Sequence, residues 1–124
     1  MKILIAEDEA ILLRTIELRL QKDGHETIVC VDGREALAKI EEQGPDLIIA
    51  DIMMPFASGL EIVGAAKRRE VKIPVVVLSA MEQESVVLEA FQLGADDYMT
   101  KPFSLEELSV RVKRFAVGHA PRNS

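Results

Sequence analysis

Glu7, Asp8 and Glu9 follow an apolar run at 3–6, Asp51 follows one at 47–50, Ser79 follows 75–78, and Lys101 with Pro102 follows 98–100. A carboxylate at the end of an apolar run is costly unless something pairs with it. Brought together, the carboxylates repel one another until a cation or a raised pKa relieves them. A hard divalent ion with oxygen ligands, Mg²⁺ before Ca²⁺, suits such a cluster and keeps several of its waters. Lys101 adds a mobile positive charge and Ser79 a hydroxyl donor. A metal, a carboxylate nucleophile, a lysine and a hydroxyl are the parts that handling a phosphoryl group requires.

Positioning these groups requires a scaffold whose strand ends converge. The runs at 3–6, 27–31, 47–50, 75–78 and 98–100 predict five strands, several β-branched and apolar on both faces. Strands of that kind belong to a sheet covered on both sides, as parallel sheets are. Between them, Leu12, Leu13, Ile16 and Leu20 recur at helical spacing, as do Ala36, Leu37 and Ile40, and Leu105, Leu108, Val112 and Phe115. Ser58 with Glu61 and Ser104 with Glu107 match capping boxes. Gly24, Gly44 and Gly94 stand where a helix end favours a left-handed residue, and Pro45 and Pro74 stand where a helix cannot continue. The order is βα five times, an α/β doubly wound parallel sheet. In such a sheet the functional crevice lies outside the carboxyl ends of the strands, where all the groups named above fall.

Composition narrows the function. The chain has 124 residues and a formal net charge of −6. That length suits one domain able to bury about two-thirds of its unfolded surface. The acid surplus argues against direct nucleic-acid binding, which needs a cationic face. A lone Cys30 suits a reducing compartment, and His25 and His119 are too isolated for a zinc site. Neither a signal peptide nor a run of about 18 apolar residues is present, so a cytoplasmic address and no membrane contact are expected. Residues 1–117 are expected to form the domain, and 118–124 a flexible tail or the start of a linker.

The runs ILIAEDE, DIMMPFASGLE from Asp51, LSA around Ser79 and GADDYMTKPF ending at Phe103 stand in order at the expected strand ends. Together they resemble the receiver domain of bacterial two-component response regulators, a likeness that covers nearly the whole chain. The resemblance implies a flavodoxin-like (βα)5 fold with five parallel strands in the order 2-1-3-4-5. It implies a signalling switch with self-catalysed chemistry rather than a metabolic enzyme. Asp51 matches the phosphoacceptor, served by a sensor histidine kinase, a phosphotransfer protein or a small phosphodonor. Asp8, Asp51 and the backbone carbonyl of Met53 match Mg²⁺ ligands, with Glu7 acting directly or through water. Lys101 matches the residue that pairs with a phosphoryl oxygen, Ser79 the hydroxyl that moves to another, and Tyr98 the aromatic that turns inward when Ser79 moves. The Lys101–Pro102 bond matches one that is cis in the family.

The stretch YMTKPFSLEELSVRVKRF resembles receivers joined to a winged-helix DNA-binding domain, in which residues matching Asp96, Asp97 and Arg111 form salt bridges across a dimer. A homodimer through the fourth helix, fifth strand and fifth helix is therefore expected, with a bridge set weakened by an apolar residue at or near Val87. Phe56 stands where the family often has glycine, with Ala57 and Ser58 in place of a frequent Met-Asp pair, so the loop after Asp51 is expected to differ. Met53, Phe56 and Met81 are expected to form an apolar rim that controls water access. Two other classes share parts of the pattern. An aspartyl phosphatase needs an acid where Met53 stands, and a flavin-binding protein needs a Ser/Thr/Gly-rich loop where Glu7, Asp8 and Glu9 stand.

Overall fold

A computed structural model describes residues 1–80 and 84–117. Five strands alternate with five helices: β1 (Lys2–Ala6), α1 (Ala10–Lys22), β2 (Glu26–Cys30), α2 (Gly33–Gln43), β3 (Leu47–Asp51), α3 (Gly59–Arg68), β4 (Val75–Ala80), α4 (Glu84–Leu93), β5 (Asp97–Lys101) and α5 (Leu105–Val117). All pairings are parallel and the order is β2-β1-β3-β4-β5, as the resemblance implies. Residues 118–124, expected to be a tail or linker, and Met81 lie outside the described residues.

Alternation along each strand splits the core in two. Leu4, Ala6, Ile48, Ala50, Val75 and Val77 face Ala36 and Ile40 of α2, Ile62 and Ala66 of α3, and Val87 and Ala90 of α4. Ile3, Ile5, Leu47, Ile49, Val76 and Leu78 face Leu13, Ile16 and Leu20 of α1 and Leu108 and Val112 of α5. Both faces of the central strands are thus apolar and covered, which explains their unbroken hydrophobic runs. Among the described residues no helix is long and apolar enough to cross a membrane. Cys30 is a free thiol inside this core, and burial pushes it up to about 12.

The helix-end glycines behave as expected, with φ of 95° at Gly24, 51° at Gly44 and 112° at Gly94. Ser104 caps α5 through its hydroxyl, which accepts the Glu107 N–H at 3.0 Å, but the Glu107 carboxylate turns to Arg111 instead of closing the box. The expected box at Ser58 does not form, because backbone groups already satisfy the start of α3. The Gly59 N–H donates to the Ile52 carbonyl at 3.0 Å, and the Glu61 N–H to the Ser58 carbonyl at 3.1 Å. Two glycines do more for the site. A Cβ at Gly59 would lie 2.6 Å from Ile52 Cα, and one at Gly33 would lie 1.8 Å from the Ala57 carbonyl oxygen. Only glycine lets α2 and α3 press against the loop that leaves Asp51.

Candidate functional site at the carboxyl ends of the strands

The strand order decides which strand ends meet. β3 lies at the centre of the sheet with β1 and β4 beside it, so Asp51, the last residue of β3, has Glu7 on one flank and Ser79 on the other. Lys101 ends β5, two strands away, and must reach across β4. Two strand spacings are about 9–10 Å, a span that a long flexible lysine is suited to bridge. Its ammonium nitrogen lies 2.6 Å from Asp51 Oδ2, 3.0 Å from Glu9 Oε2 and 3.1 Å from the Glu7 carboxylate. Asp51 Oδ1 accepts the Met53 N–H at 2.9 Å, which fixes the carboxylate against its own loop. The Lys101–Pro102 bond is cis.

Burial and charge make this pocket unlike the rest of the surface. Glu7 has no exposed area and Asp51 retains 6%. Both Glu7 oxygens lie 3.1 Å from Lys101 Nζ, yet only Oε1 accepts a hydrogen bond, and Oε2 is buried without one. Burial, and after it the charge of Asp51, raise the Glu7 carboxyl to about 7 against the lowering pull of Lys101. Burial alone would lower Lys101, but hydrogen bonds to Asp51, Glu9 and Glu7 outweigh it and raise its pKa. Oxygens of Glu7, Asp8 and Asp51 lie within 4.8 Å of one another. With Glu9, four carboxylates face one ammonium, a formal −3. An oxygen-only donor set with surplus negative charge and an orphaned buried oxygen fits a hard divalent cation.

The arrangement is that of a known family. A family model described as the response regulator receiver domain matches residues 3–113. The chain belongs to the response regulator receiver family. The alkaline phosphatase synthesis transcriptional regulatory protein PhoP of Bacillus subtilis is 39% identical over 112 residues, covering 90% of this chain and 47% of the relative. The transcriptional regulatory protein TrcR of Mycobacterium tuberculosis is likewise 39% identical over 112 residues, covering 90% of this chain and 44% of that protein. The chain thus spans less than half the length of these curated relatives. Among solved structures, the receiver domain of Francisella response regulator 1452 is 35% identical with a TM-score of 0.84, covering 92% of this chain and 94% of that one. The chemotaxis response regulator CheY4 of Vibrio cholerae is 31% identical with a TM-score of 0.85, covering 92% and 97%.

In this receiver domain Ser79 is buried, while Tyr98 faces outward with its ring edge-to-face against Phe91 at 5.6 Å. Between α4 and β5 a cavity of about 510 Å³ is lined by Ser79, Val87, Leu88, Phe91, Tyr98 and Thr100. Asp97 and Arg111 meet within one chain in a two-pronged bridge at 2.7 and 2.9 Å. Asp96 is drawn away from them, to Lys67 of α3 at 2.6 Å and to the Val75 N–H at 2.8 Å. Val87 is buried. Phe56 takes φ 72°, in the left-handed region that favours glycine, and the Arg34 guanidinium sits 4.3 Å from its ring centre. Met53 and Phe56 are both exposed.

Sequence reasoning placed Glu9 at the crevice but missed its role as a partner of Lys101. The residue belongs to the acidic run after β1, but its partner is 92 positions away and nothing local singles it out.

Proposed function

We propose that Asp51 is the phosphoacceptor of this receiver domain, that a sensor histidine kinase or a phosphotransfer protein supplies the phosphoryl group, and that the phosphorylated form changes affinity for a partner. The observation that carries the reading is the 2.6 Å contact between Lys101 Nζ and Asp51 Oδ2 beside a surplus of acidic oxygens. Receiver domains bind Mg²⁺ at an acidic pocket of this kind. Asp8, Asp51 and the Met53 carbonyl would hold it, with Glu7 direct or through water, and when bound it neutralises charge on the transferring group. An Asp51 oxygen attacks phosphorus, and the bond from phosphorus to the donor's nitrogen or oxygen breaks, with the electron pair leaving on the donor. Lys101 meets a phosphoryl oxygen as charge moves onto it. The chemistry is that of the receiver's own residues, and hydrolysis returns it to rest.

On this reading the cavity beside Ser79 is the space into which Tyr98 turns when Ser79 moves toward the phosphoryl group, an existing equilibrium that phosphorylation shifts. A concave surface lined by Ile11, Leu12, Thr15, Pro102 and Phe103, reaching Glu9 and Lys101, suits a protein donor that must approach Asp51. The face made of α4, β5 and α5 exposes Leu88, Tyr98 and Val110 around the Asp97–Arg111 bridge and is the surface for a homodimer. Monomeric sedimentation with beryllofluoride and Mg²⁺ would count against that dimer. The domain acts in the cytoplasm and touches no nucleic acid itself. Met53 and Phe56 shield the phosphoaspartate from water, so replacing Met53 with a polar residue changes the rate of dephosphorylation, and an unchanged rate removes that role.

The central test is incubation with acetyl phosphate and Mg²⁺ followed by intact mass. The wild type gains one phosphoryl group and Asp51→Asn gains none. An unmodified wild type refutes the assignment.

A further inference from the structure

Lys101 Nζ has three N–H bonds to give, and three carboxylates take them. The three are not equivalent. Glu7 and Asp51 are buried and belong to the group of close acidic oxygens, whereas the Glu9 side chain is 64% exposed and stands outside that group. Glu9 occupies the N-cap position of α1, yet its side chain does not cap the helix. Among the described residues Lys101 is the partner found for its carboxylate. The Glu9 backbone N–H donates to Glu7 Oε1 at 3.2 Å, but among the described residues its carboxylate has nothing except the lysine to hold it in place once the lysine turns.

Phosphorylation of Asp51 brings roughly two negative charges to the place where Lys101 already points. While the donor approaches, before the new bond forms and with Asp51 still a carboxylate, the lysine must give a hydrogen bond to a phosphoryl oxygen, and one of its three partners must release it. Glu9 loses least, because an exposed carboxylate exchanges an ion pair for water at little cost. We propose that Glu9 is a positioning residue that competes with the incoming phosphoryl group for Lys101 and so slows phosphorylation of Asp51. This rests on the assignment of Asp51 as phosphoacceptor. The chemical step is unchanged: an Asp51 oxygen bonds to phosphorus, the bond from phosphorus to the acetate oxygen of acetyl phosphate breaks, and acetate leaves with the electron pair.

The test uses the whole 124-residue chain with acetyl phosphate and saturating Mg²⁺, following adduct formation by intact mass for wild type, Glu9→Gln and Glu9→Asp. Glu9→Gln removes the competing charge and is expected to react about two- to five-fold faster at low ionic strength. The advantage shrinks as salt is added, since the Debye length falls to about 10 Å at 0.1 M. Glu9→Asp keeps a charge at the mouth of the pocket but is one methylene short of the lysine, and it is expected to follow Glu9→Gln. If Glu9→Asp instead matches the wild type, Glu9 merely repels an anionic donor and the proposal fails. It also fails if Glu9→Gln is no faster, or if the variants lose thermal stability with no change in rate or salt dependence. A wild type that takes no phosphoryl group refutes the Asp51 assignment, while a labelled wild type with indifferent Glu9 variants refutes only the role of Glu9.

Discussion

Two ends of the same strand treat charge in opposite ways. Where β5 begins, Asp96 is held by Lys67, and Asp97 by Arg111, which also meets Glu107, while Arg114 lies 3.9 Å from Asp97, so that cations match acids in number. Where β5 ends, Lys101 alone faces Glu7, Glu9 and Asp51, with Asp8 close by. The first arrangement closes on itself and needs no further partner. The second leaves a buried oxygen unbonded and a formal −3, which the fold sustains only because its scaffold holds the carboxylates together. Clustered acids thus point to a ligand where countercharge is missing, and to architecture where it is present.

The largest expected effect is the response to the ion itself. A cation that binds the native pocket and not the unfolded chain stabilises by about 2.7 kcal/mol at a hundred times its dissociation constant. Mg²⁺ is therefore expected to raise the melting temperature of the wild type and to leave Asp8→Asn nearly unmoved. An equal rise in both would show that the ion binds elsewhere.

The same substitution, Asp to Asn, should then change sign between the two ends. Without Mg²⁺, Asp8→Asn removes like charge within 4.8 Å of two carboxylates and is expected to stabilise by about 1 kcal/mol. Asp97→Asn breaks a partly exposed two-pronged bridge to Arg111 and is expected to destabilise by about 0.2–1 kcal/mol, less in high salt. Urea unfolding of both variants decides it. Two shifts of the same sign would collapse the distinction between the two ends.

Much of this was legible in the amino-acid pattern, for physical reasons. Parallel strands buried on both faces read as continuous apolar runs, so β1, β3 and β4 stood out, and the polar residues that stop those runs had to be at the crevice. β3 and β4 run one and two residues past their apolar runs because Asp51 and Ser79 continue the ladder into the site itself. Contacts that depend on distant residues were not legible. Glu9 reaches Lys101 only because β1 and β5 flank the same pocket, Gly33 is required only because the loop before α3 lies on it, and the start of α3 needs no hydroxyl cap because the Ile52 and Ser58 carbonyls serve it.

The contrast between strained and settled acids extends to a third place, and there it becomes a test in pH. Asp23, after α1, accepts a hydrogen bond from the buried Ser109 hydroxyl of α5, and that bond is the main reason its carboxyl titrates below the ordinary 3.8. Glu7 is displaced the other way, by burial and a like charge. A carboxyl whose folded pKa is depressed contributes stability that is fully present above its unfolded pKa and fades as pH falls through the folded value. The stability difference between wild type and Ser109→Ala should therefore be constant at neutral pH and narrow below about pH 3.8, as Asp23 protonates. This is the smallest of the expected signals, because only the pH-dependent share of one hydrogen bond is read. Melting temperatures of the pair from pH 6 to pH 3 measure it. A difference that stays flat throughout would mean that Ser109 supports α1 and α5 by packing alone, and that Asp23 is no more settled than the acids of the pocket.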